Sequence, residues 1–175
     1  SSDTDVETDS DAILGCTDST ACNYDATATQ MDGSCDYEDV CWDGTLSCAC
    51  VFTGSPPEVL DYNTSMLMAY YFFEVVRDID GNLLEANDWV GAFNGATAVG
   101  SHQWDTSACG DHVCAVPVMG DDPTPGTNGY MTSGQVPSFA ICDYSEAICY
   151  EAYASEEVAW SVLATPIIGL LSPNL

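Results

Sequence analysis

The sequence predicts an all-β protein: a β-sandwich or jelly-roll-like domain, preceded by a small disulfide-rich module and an extended tail. Three observations support this fold class. Short aromatic and β-branched runs alternate with Gly, Pro, Asn and Asp, which is the pattern of short strands joined by turns. No apolar period of 3.6 residues, the mark of an amphipathic helix, persists for three turns. Ten cysteines in 175 residues, with only two histidines, indicate a disulfide framework in an oxidising compartment.

Composition divides the chain into an acidic tail at residues 1–14, a cysteine-rich module at 15–54 and a β-sandwich domain at 58–175. The module contains six of the ten cysteines and no long apolar run, so we expect disulfides rather than a core to hold it together. Residues 54–57, Gly-Ser-Pro-Pro, are predicted to form a stiff linker or corner.

The tail has the period of a β-strand. Acidic residues occupy every second position from 3 to 11, with Thr, Val and Ser between them. An extended tail would therefore present carboxylates on one face and small or β-branched side chains on the other. A disordered tail is the alternative for such a composition. In a strand added to the sheet edge of a neighbouring copy, Val6, Ile13 and Leu14 would fill its side-chain pockets.

The strand predictions follow the apolar runs of the third segment. Residues 66–76 form the longest run and are too apolar for us to expect them in water. The dipeptides Asp80-Gly81 and Asn94-Gly95 are typical of hairpin turns. Further strands are predicted at residues 89–93, 97–99, 113–119, 136–142, 149–153, 159–163 and 167–171. Seven to nine short strands at this spacing favour a sandwich or jelly roll.

The charge of the chain excludes several classes of partner. There are 28 acidic residues and a single basic one, Arg77, for a net charge of -27. A nucleic-acid binder needs a basic surface, and so does a protein attracted to anionic lipid. No apolar stretch reaches the roughly 20 residues that span a bilayer. Salt and divalent cations reduce self-repulsion, so we expect a saline or calcium-rich extracellular setting.

The cysteine spacings favour disulfides over zinc. The ten residues are Cys16, Cys22, Cys35, Cys41, Cys48, Cys50, Cys109, Cys114, Cys142 and Cys149. None of their spacings matches the paired C-x2-C of zinc ribbons and fingers. Nearness in sequence favours Cys109 with Cys114 and Cys142 with Cys149, which leaves the other six to pair within residues 16–50. A bond between Cys48 and Cys50 is unfavourable, since one intervening residue strains the bridge.

Calcium is the metal that the sequence supports best, because it prefers carboxylates and carbonyls presented by loops. Asp18, Asp25 and Asp32 recur every seven residues in the cysteine-rich module, and disulfide closure would bring them together. The alternative is that each aspartate caps its own turn.

The sandwich domain has weaker candidates for calcium and for modification. Asp78 and Asp80 belong to an Asp-Ile-Asp-Gly-Asn run like the opening of an EF-hand loop, but its glycine comes too early, and a hairpin turn is favoured. Asp121 and Asp122 lie in a long turn-forming loop at 120–129. Asn63 begins the one N-glycosylation sequon.

No catalytic constellation stands out. The two histidines, His102 and His112, have Ser107 and Asp111 nearby in sequence. There is no G-x-S-x-G elbow, P-loop, dinucleotide-binding glycine pattern or H-E-x-x-H. We therefore predict that the protein is not an enzyme.

Residues 15–35, GCTDSTACNYDATATQMDGSC, resemble a short cysteine repeat of secreted and cell-surface proteins from marine and other aquatic microbes. Residues 87–143 resemble a β-sandwich module of such proteins. The marks of that second resemblance are DWVGAFNG at 88–95, HQWDT at 102–106, VPVMGDD at 116–122, GYM at 129–131 and PSF at 137–139. The resemblance implies an extracellular, non-catalytic protein with an adhesive or structural role.

Two functions follow from these observations. The first is a structural subunit of an extracellular filament, sheath or surface layer, a calcium-stabilised homopolymer assembled through the tail. The second is a module that binds glycans or a cell-surface partner, with Trp42, Trp89 or Trp104 exposed to stack on sugar rings. Core positions are the more common fate of tryptophan, which favours the first function.

Overall fold

A computed structural model describes residues 12–40, 46–48, 55–123 and 125–175. The chain divides into two compact units, Ser1–Val51 and Phe52–Leu175. The all-β prediction is confirmed: apart from two 3₁₀ turns, at Glu58–Leu60 and Gly110–His112, the regular elements of the described residues are strands. No helix in the described part of the chain is long and apolar enough to cross a membrane.

The first unit is held by crosslinks and turns. Its four two-residue strands form two pairs, one parallel (β1 with β2) and one antiparallel (β3 with β4). The strands are β1 Leu14–Gly15, β2 Gln30–Met31, β3 Asp39–Val40 and β4 Leu46–Ser47. Among the described side chains of this unit only Cys16 and Ala21 are buried. Disulfides therefore stabilise this unit in place of the apolar core of a larger domain.

Two disulfides of the first unit are described. Cys16 is bonded to Cys35, and Cys22 to Cys48. Both lie within residues 16–50, where the sequence places the remaining pairs. Cys41 and Cys50 lie outside the described residues.

The second unit contains one seven-stranded sheet. Its order is β7-β6-β9-β10-β11-β5-β8, antiparallel throughout except for the parallel pair β11 and β5. The strands are β5 Met68–Val76, β6 Trp89–Asn94, β7 Thr97–Gln103, β8 Cys114–Met119, β9 Ser138–Asp143, β10 Ile148–Ala154 and β11 Ile167–Ser172. Each of these strands coincides with a predicted apolar run.

β10 belongs to both halves of the sheet. Its residues Ile148 to Ala152 pair with β9, whereas Tyr153 and Ala154 pair with β11. The strand thus passes from the half-sheet β7-β6-β9 to the half-sheet β11-β5-β8, as in sandwiches whose strands switch sheets at a corner. Aromatic rings of the two halves meet in the core: Phe73 of β5 packs edge to face on Phe139 of β9, with ring centroids 5.1 Å apart.

At the opposite end of the order, the edge strands β7 and β8 approach each other closely. A Cβ atom at Gly100 would lie 1.6 Å from the carbonyl oxygen of Pro117. Pro117 has no N–H to donate, so this seam is a backbone contact and not a ladder. The contact nearly closes the sheet and brings its two free edges together.

The predicted strand at residues 159–163 is wrong. Trp160 is buried there, and its indole N–H donates to the carbonyl of Val118 at 3.0 Å. Its backbone N–H donates to Gln135 at 2.7 Å, and Leu163 has a left-handed φ of 63°. The inward tryptophan and the turn that follows it make residues 159–163 part of the connection between β10 and β11 and not a strand.

We expect Gly100→Ala to lower the free energy of unfolding by about 1–3 kcal/mol, since its methyl group would overlap the backbone of Pro117. Gly110→Ala is the matched control, because a Cβ there meets nothing within 4 Å and Gly110 has no positive φ. Urea unfolding of the oxidised proteins measures both changes. Equal stability of the two variants would contradict the close seam.

Candidate functional site

The predicted calcium ligands of the first unit cap turns. The pattern Asp-x-Thr/Ser recurs at residues 18–20, 25–27 and 32–34, and each aspartate Oδ1 accepts the N–H two residues on at 2.8 to 2.9 Å. In the first two turns the threonine hydroxyl also donates to that oxygen, at 2.8 and 2.6 Å. Hydrogen bonds hold the pKa of all three carboxyl groups below the ordinary value. The largest cause is the N–H of Thr20 for Asp18, and the hydroxyl groups of Thr27 and Ser34 for Asp25 and Asp32.

Asp18, Asp25 and Asp32 do not converge on one point. In the described part of the chain, a different group is the only set of three or more His, Cys, Asp or Glu side chains close enough together to hold one metal ion. Asp18 uses its second oxygen to accept the Tyr37 hydroxyl at 3.0 Å. The structure therefore shows turn capping, and a calcium role for these aspartates stays a prediction.

The converging group consists of His102, Cys109 and Cys114. Nearness in sequence favours a bond between these two cysteines, and the structure contains it. Disulfide sulfurs are not thiolates and do not ligate metals. Burial lowers the pKa of His102, whose Nε2 lies 3.9 Å from the Cys109 sulfur. The group is therefore a packing cluster.

Asp78 and Asp80 lie in a turn, the interpretation that the sequence favoured. Asp78 Oδ1 accepts the N–H of Asn82 at 2.7 Å, and a single antiparallel bridge joins Arg77 to Leu83. Asp80 is exposed at the tip.

Asp122 holds its loop to the segment before β5. Its Oδ2 accepts the hydroxyl of Ser65 at 3.0 Å and the N–H of Met66 at 2.7 Å, and its Oδ1 accepts the hydroxyl of the buried Thr127 at 3.1 Å. The neighbouring Asp121 joins the same loop through its backbone N–H. The carboxylate of Asp122 thus has a structural role.

Two buried carboxylates escaped the sequence analysis. Asp88 and Asp143 are 3 % and 9 % exposed. Asp88 accepts the N–H of Tyr144 at 2.9 Å and that of Glu85 at 2.7 Å, which ties the start of β6 to the β9–β10 turn. Burial raises the pKa of Asp88, and those two N–H groups oppose the rise. Their positions in the sequence could have identified them, since Asp88 directly precedes β6 and Asp143 is the last residue of β9.

Ser107, Asp111 and the two histidines do not form a Ser-His-Asp arrangement. The hydroxyl of Ser107 donates to Asp105 at 2.6 Å, and His112, on the surface, places Nδ1 3.1 Å from the carbonyl of Thr106. The serine is therefore directed to a turn aspartate and not to a histidine.

Two of the three tryptophans of the binding hypothesis, Trp89 and Trp104, lie in the core. Trp89 and Trp104 are 8 % and 3 % exposed, so neither offers a face to a sugar ring. Trp42 lies outside the described residues. The exposed Asn63 donates its side-chain N–H to the carbonyl of Gly126 at 3.2 Å, so the nitrogen that would carry a glycan is hydrogen-bonded to a neighbouring loop.

The structure shortens the predicted donor segment. Ile13 and Leu14 already pair in their own chain: the carbonyl of Ile13 accepts the N–H of Thr29 at 2.8 Å, and Leu14 lies opposite Gln30. Their side chains remain 49 % and 60 % exposed. Main-chain exchange is thus limited to residues before Ile13. Residues 1–11, which include Val6, lie outside the described residues.

An apolar groove, which sequence analysis missed, opens where β10 leaves β9. The last pair of their ladder is Ala152 with Phe139, and beyond it β10 pairs with β11. The groove between the diverging segments has a volume of about 430 Å³. Buried Tyr71, Phe139 and Ile168 lie at its base, and residues 136–140, 151–154 and 156–158 contribute its walls. It is bounded further by Phe93 of β6 and by Gly95 and Ala96 of the β6–β7 turn.

The walls of this groove carry unpaired backbone and negative charge. The described chain offers no hydrogen-bond partner to the backbone of Val136, Glu156 or Glu157. Three carboxylates line the groove, those of Glu151, Glu156 and Glu157. Unpaired main chain beside buried apolar surface is the arrangement that accepts an added strand.

Comparison of the chain with protein families, with curated proteins and with solved structures found no match. The resemblance of residues 15–35 to the aquatic cysteine repeat therefore stays a prediction. Function is best inferred from the groove, the disulfides and the charge.

We expect Asp122→Ala to lower the free energy of unfolding by about 1–3 kcal/mol, because buried donors lose their acceptor. Asp121→Ala is the control: it removes a neighbouring carboxylate of the same charge that makes no such side-chain bonds in the described structure. Thermal unfolding measures both. A smaller loss for Asp122→Ala than for Asp121→Ala would overturn the structural role.

Proposed function

We propose that the protein is a structural subunit of an extracellular filament or surface assembly. It is stapled by disulfides, stabilised by calcium, and polymerises when the N-terminal tail of one copy adds a strand to the next. The observation that carries this proposal is the apolar groove at the split between β9 and β10, with its unpaired backbone.

The free edges of the sheet favour the groove as the point of addition. β7 and β8 approach each other at Gly100 and Pro117, which leaves little room for a new neighbour between them there. Strand addition needs a row of unpaired N–H and C=O groups. Head-to-tail addition of this kind repeats from copy to copy and produces an open fibre.

Disulfides and charge support the extracellular, cation-dependent part of the proposal. Four disulfides are described, and such bonds persist in oxidising compartments. A net charge of -27 makes copies repel one another unless cations intervene. Asp25 and Asp32 lie in loops of the cysteine-rich module, and calcium prefers carboxylate oxygens presented by loops.

A glycan-binding role is the second candidate, and one observation favours it. A shallow polar pocket of about 550 Å³ is lined by the half-buried ring of Tyr62 together with Asp61, Asn63 and Asn128. An aromatic face beside amide and carboxylate groups suits a sugar. A glycan array separates this role from the first, because a structural subunit has no need of selective sugar binding.

Electron microscopy with and without a chelator tests the proposed assembly. We expect the oxidised full-length protein to form filaments in calcium and to lose them in EDTA, because cations screen and bridge its carboxylates. A variant that lacks residues 1–11 retains every described residue, and we expect it to remain a folded monomer. Full-length fibres from the truncated protein, or a chelator-insensitive monomer from the intact one, would contradict the proposal.

A further inference from the structure

We infer that the groove between β9 and β10 is the acceptor for residues 3–9 of a second copy, and that insertion requires cations. The inference rests on the proposed function and specifies its interface. The groove is defined by the walls at 136–140, 151–154 and 156–158, by the β6–β7 turn, and by the buried base at Tyr71, Phe139 and Ile168.

The shape of the groove suits a strand with small side chains. Its walls carry small residues at Ala140, Ala152 and Ala154, which leaves room over the aromatic base. An inserted strand would find unpaired backbone at Val136 on one wall and at Glu156 and Glu157 on the other. Each main-chain hydrogen bond made there satisfies groups that the described chain leaves without a protein partner.

The tail has the matching period. In an extended strand, Thr4, Val6 and Thr8 project to one face, and Asp3, Asp5, Glu7 and Asp9 to the other. The first face is small and partly apolar, as the groove requires. The second face then points to solvent, where charge is tolerated.

The length and origin of the tail favour this occupant. Residues 1–11, fully extended, span about 40 Å. The seven residues 3–9 span roughly 23 Å as a strand. Ile13 and Leu14 follow this segment closely in the sequence, and their apolar side chains are exposed.

The charges set the condition for insertion. The groove presents Glu151, Glu156 and Glu157, and residues 3–9 bring four more carboxylates. At low ionic strength these charges repel, whereas salt screens them and divalent cations bridge them. A cationic segment from another protein would bind the same groove without added cations, so cation dependence distinguishes the two occupants.

The first test uses the full chain with a matched pair of variants. Val136, on the groove wall, and Val162, outside the groove, are both 46 % exposed, so Val136→Asp and Val162→Asp change the same charge at equally exposed sites. We expect Val136→Asp to raise the critical concentration for filament growth in calcium at least tenfold and Val162→Asp to leave it near that of the parent. Circular dichroism checks that both variants are folded. Equal growth of the two variants would overturn the groove as acceptor.

The second test measures binding of a labelled peptide of residues 1–12 to the protein that lacks residues 1–11. We expect saturable binding in calcium, at least tenfold weaker binding for the Val6→Asp peptide, and calcium-independent binding when the peptide's acids are replaced by Asn and Gln. Tighter binding of a lysine-bearing peptide, with none by the native tail, would assign the groove to a cationic partner and overturn the inference. If the truncated protein binds the peptide but the full-length protein stays monomeric, the tail inserts into the groove of its own chain, which also overturns the inference.

The outcomes separate this inference from the proposed function. If the full chain forms tail-dependent filaments but the peptide ignores the groove, the acceptor lies elsewhere and the structural role survives. If no cation condition gives filaments and the peptide does not bind, both are wrong.

Discussion

The pairing of β10 with two different neighbours is the constraint on which the second unit depends. Its first five residues complete the ladder of β9, and its last two join β11, so a single strand links the two half-sheets. Rings from both halves fill the interior, as the contact of Phe73 with Phe139 shows. Beyond Ala152 the half-sheets separate, and the groove is the consequence. The disulfide between Cys142 and Cys149 crosslinks opposed residues at the other end of the same ladder, so the pair is covalently fixed there, while past the groove the backbone of Trp160 bonds to Gly134 and Gln135.

Charge and crosslinks explain the remaining features together. A chain with one basic residue has almost no opportunity for internal ion pairs, so its carboxylates are stabilised by hydrogen bonds. Turn aspartates accept N–H and hydroxyl groups two residues on, and Asp88 and Asp122 accept donors from distant segments. Disulfides limit the conformational freedom of the unfolded chain, which matters most in the first unit, where few side chains are buried. The excess charge then remains on the surface, where cations control association.

Much of the fold could be predicted because it depends on local signals. The apolar runs located all seven strands of the large sheet, the Asn94-Gly95 turn joined β6 to β7, and nearness in sequence indicated two disulfides. The error at residues 159–163 arose because an apolar run does not distinguish a strand from a crossover with an inward tryptophan. The groove depends on which neighbour each part of β10 selects, a long-range choice that no local pattern encodes. Likewise, Asp-x-Thr spacing is compatible with both turn capping and calcium ligation. Only the three-dimensional positions of the carboxylates distinguish the two roles.

The central claim is that the split beside β10 is an unfilled strand position. Hydrogen–deuterium exchange of backbone amides, compared between dispersed protein in chelator and assembled protein in calcium, tests it most directly. The claim predicts that the free amides of the groove walls, at Val136, Glu156 and Glu157, exchange at least tenfold more slowly after assembly, while the β7 and β8 edges exchange as before. Unchanged exchange at the walls, with new protection at β7 or β8, would contradict it.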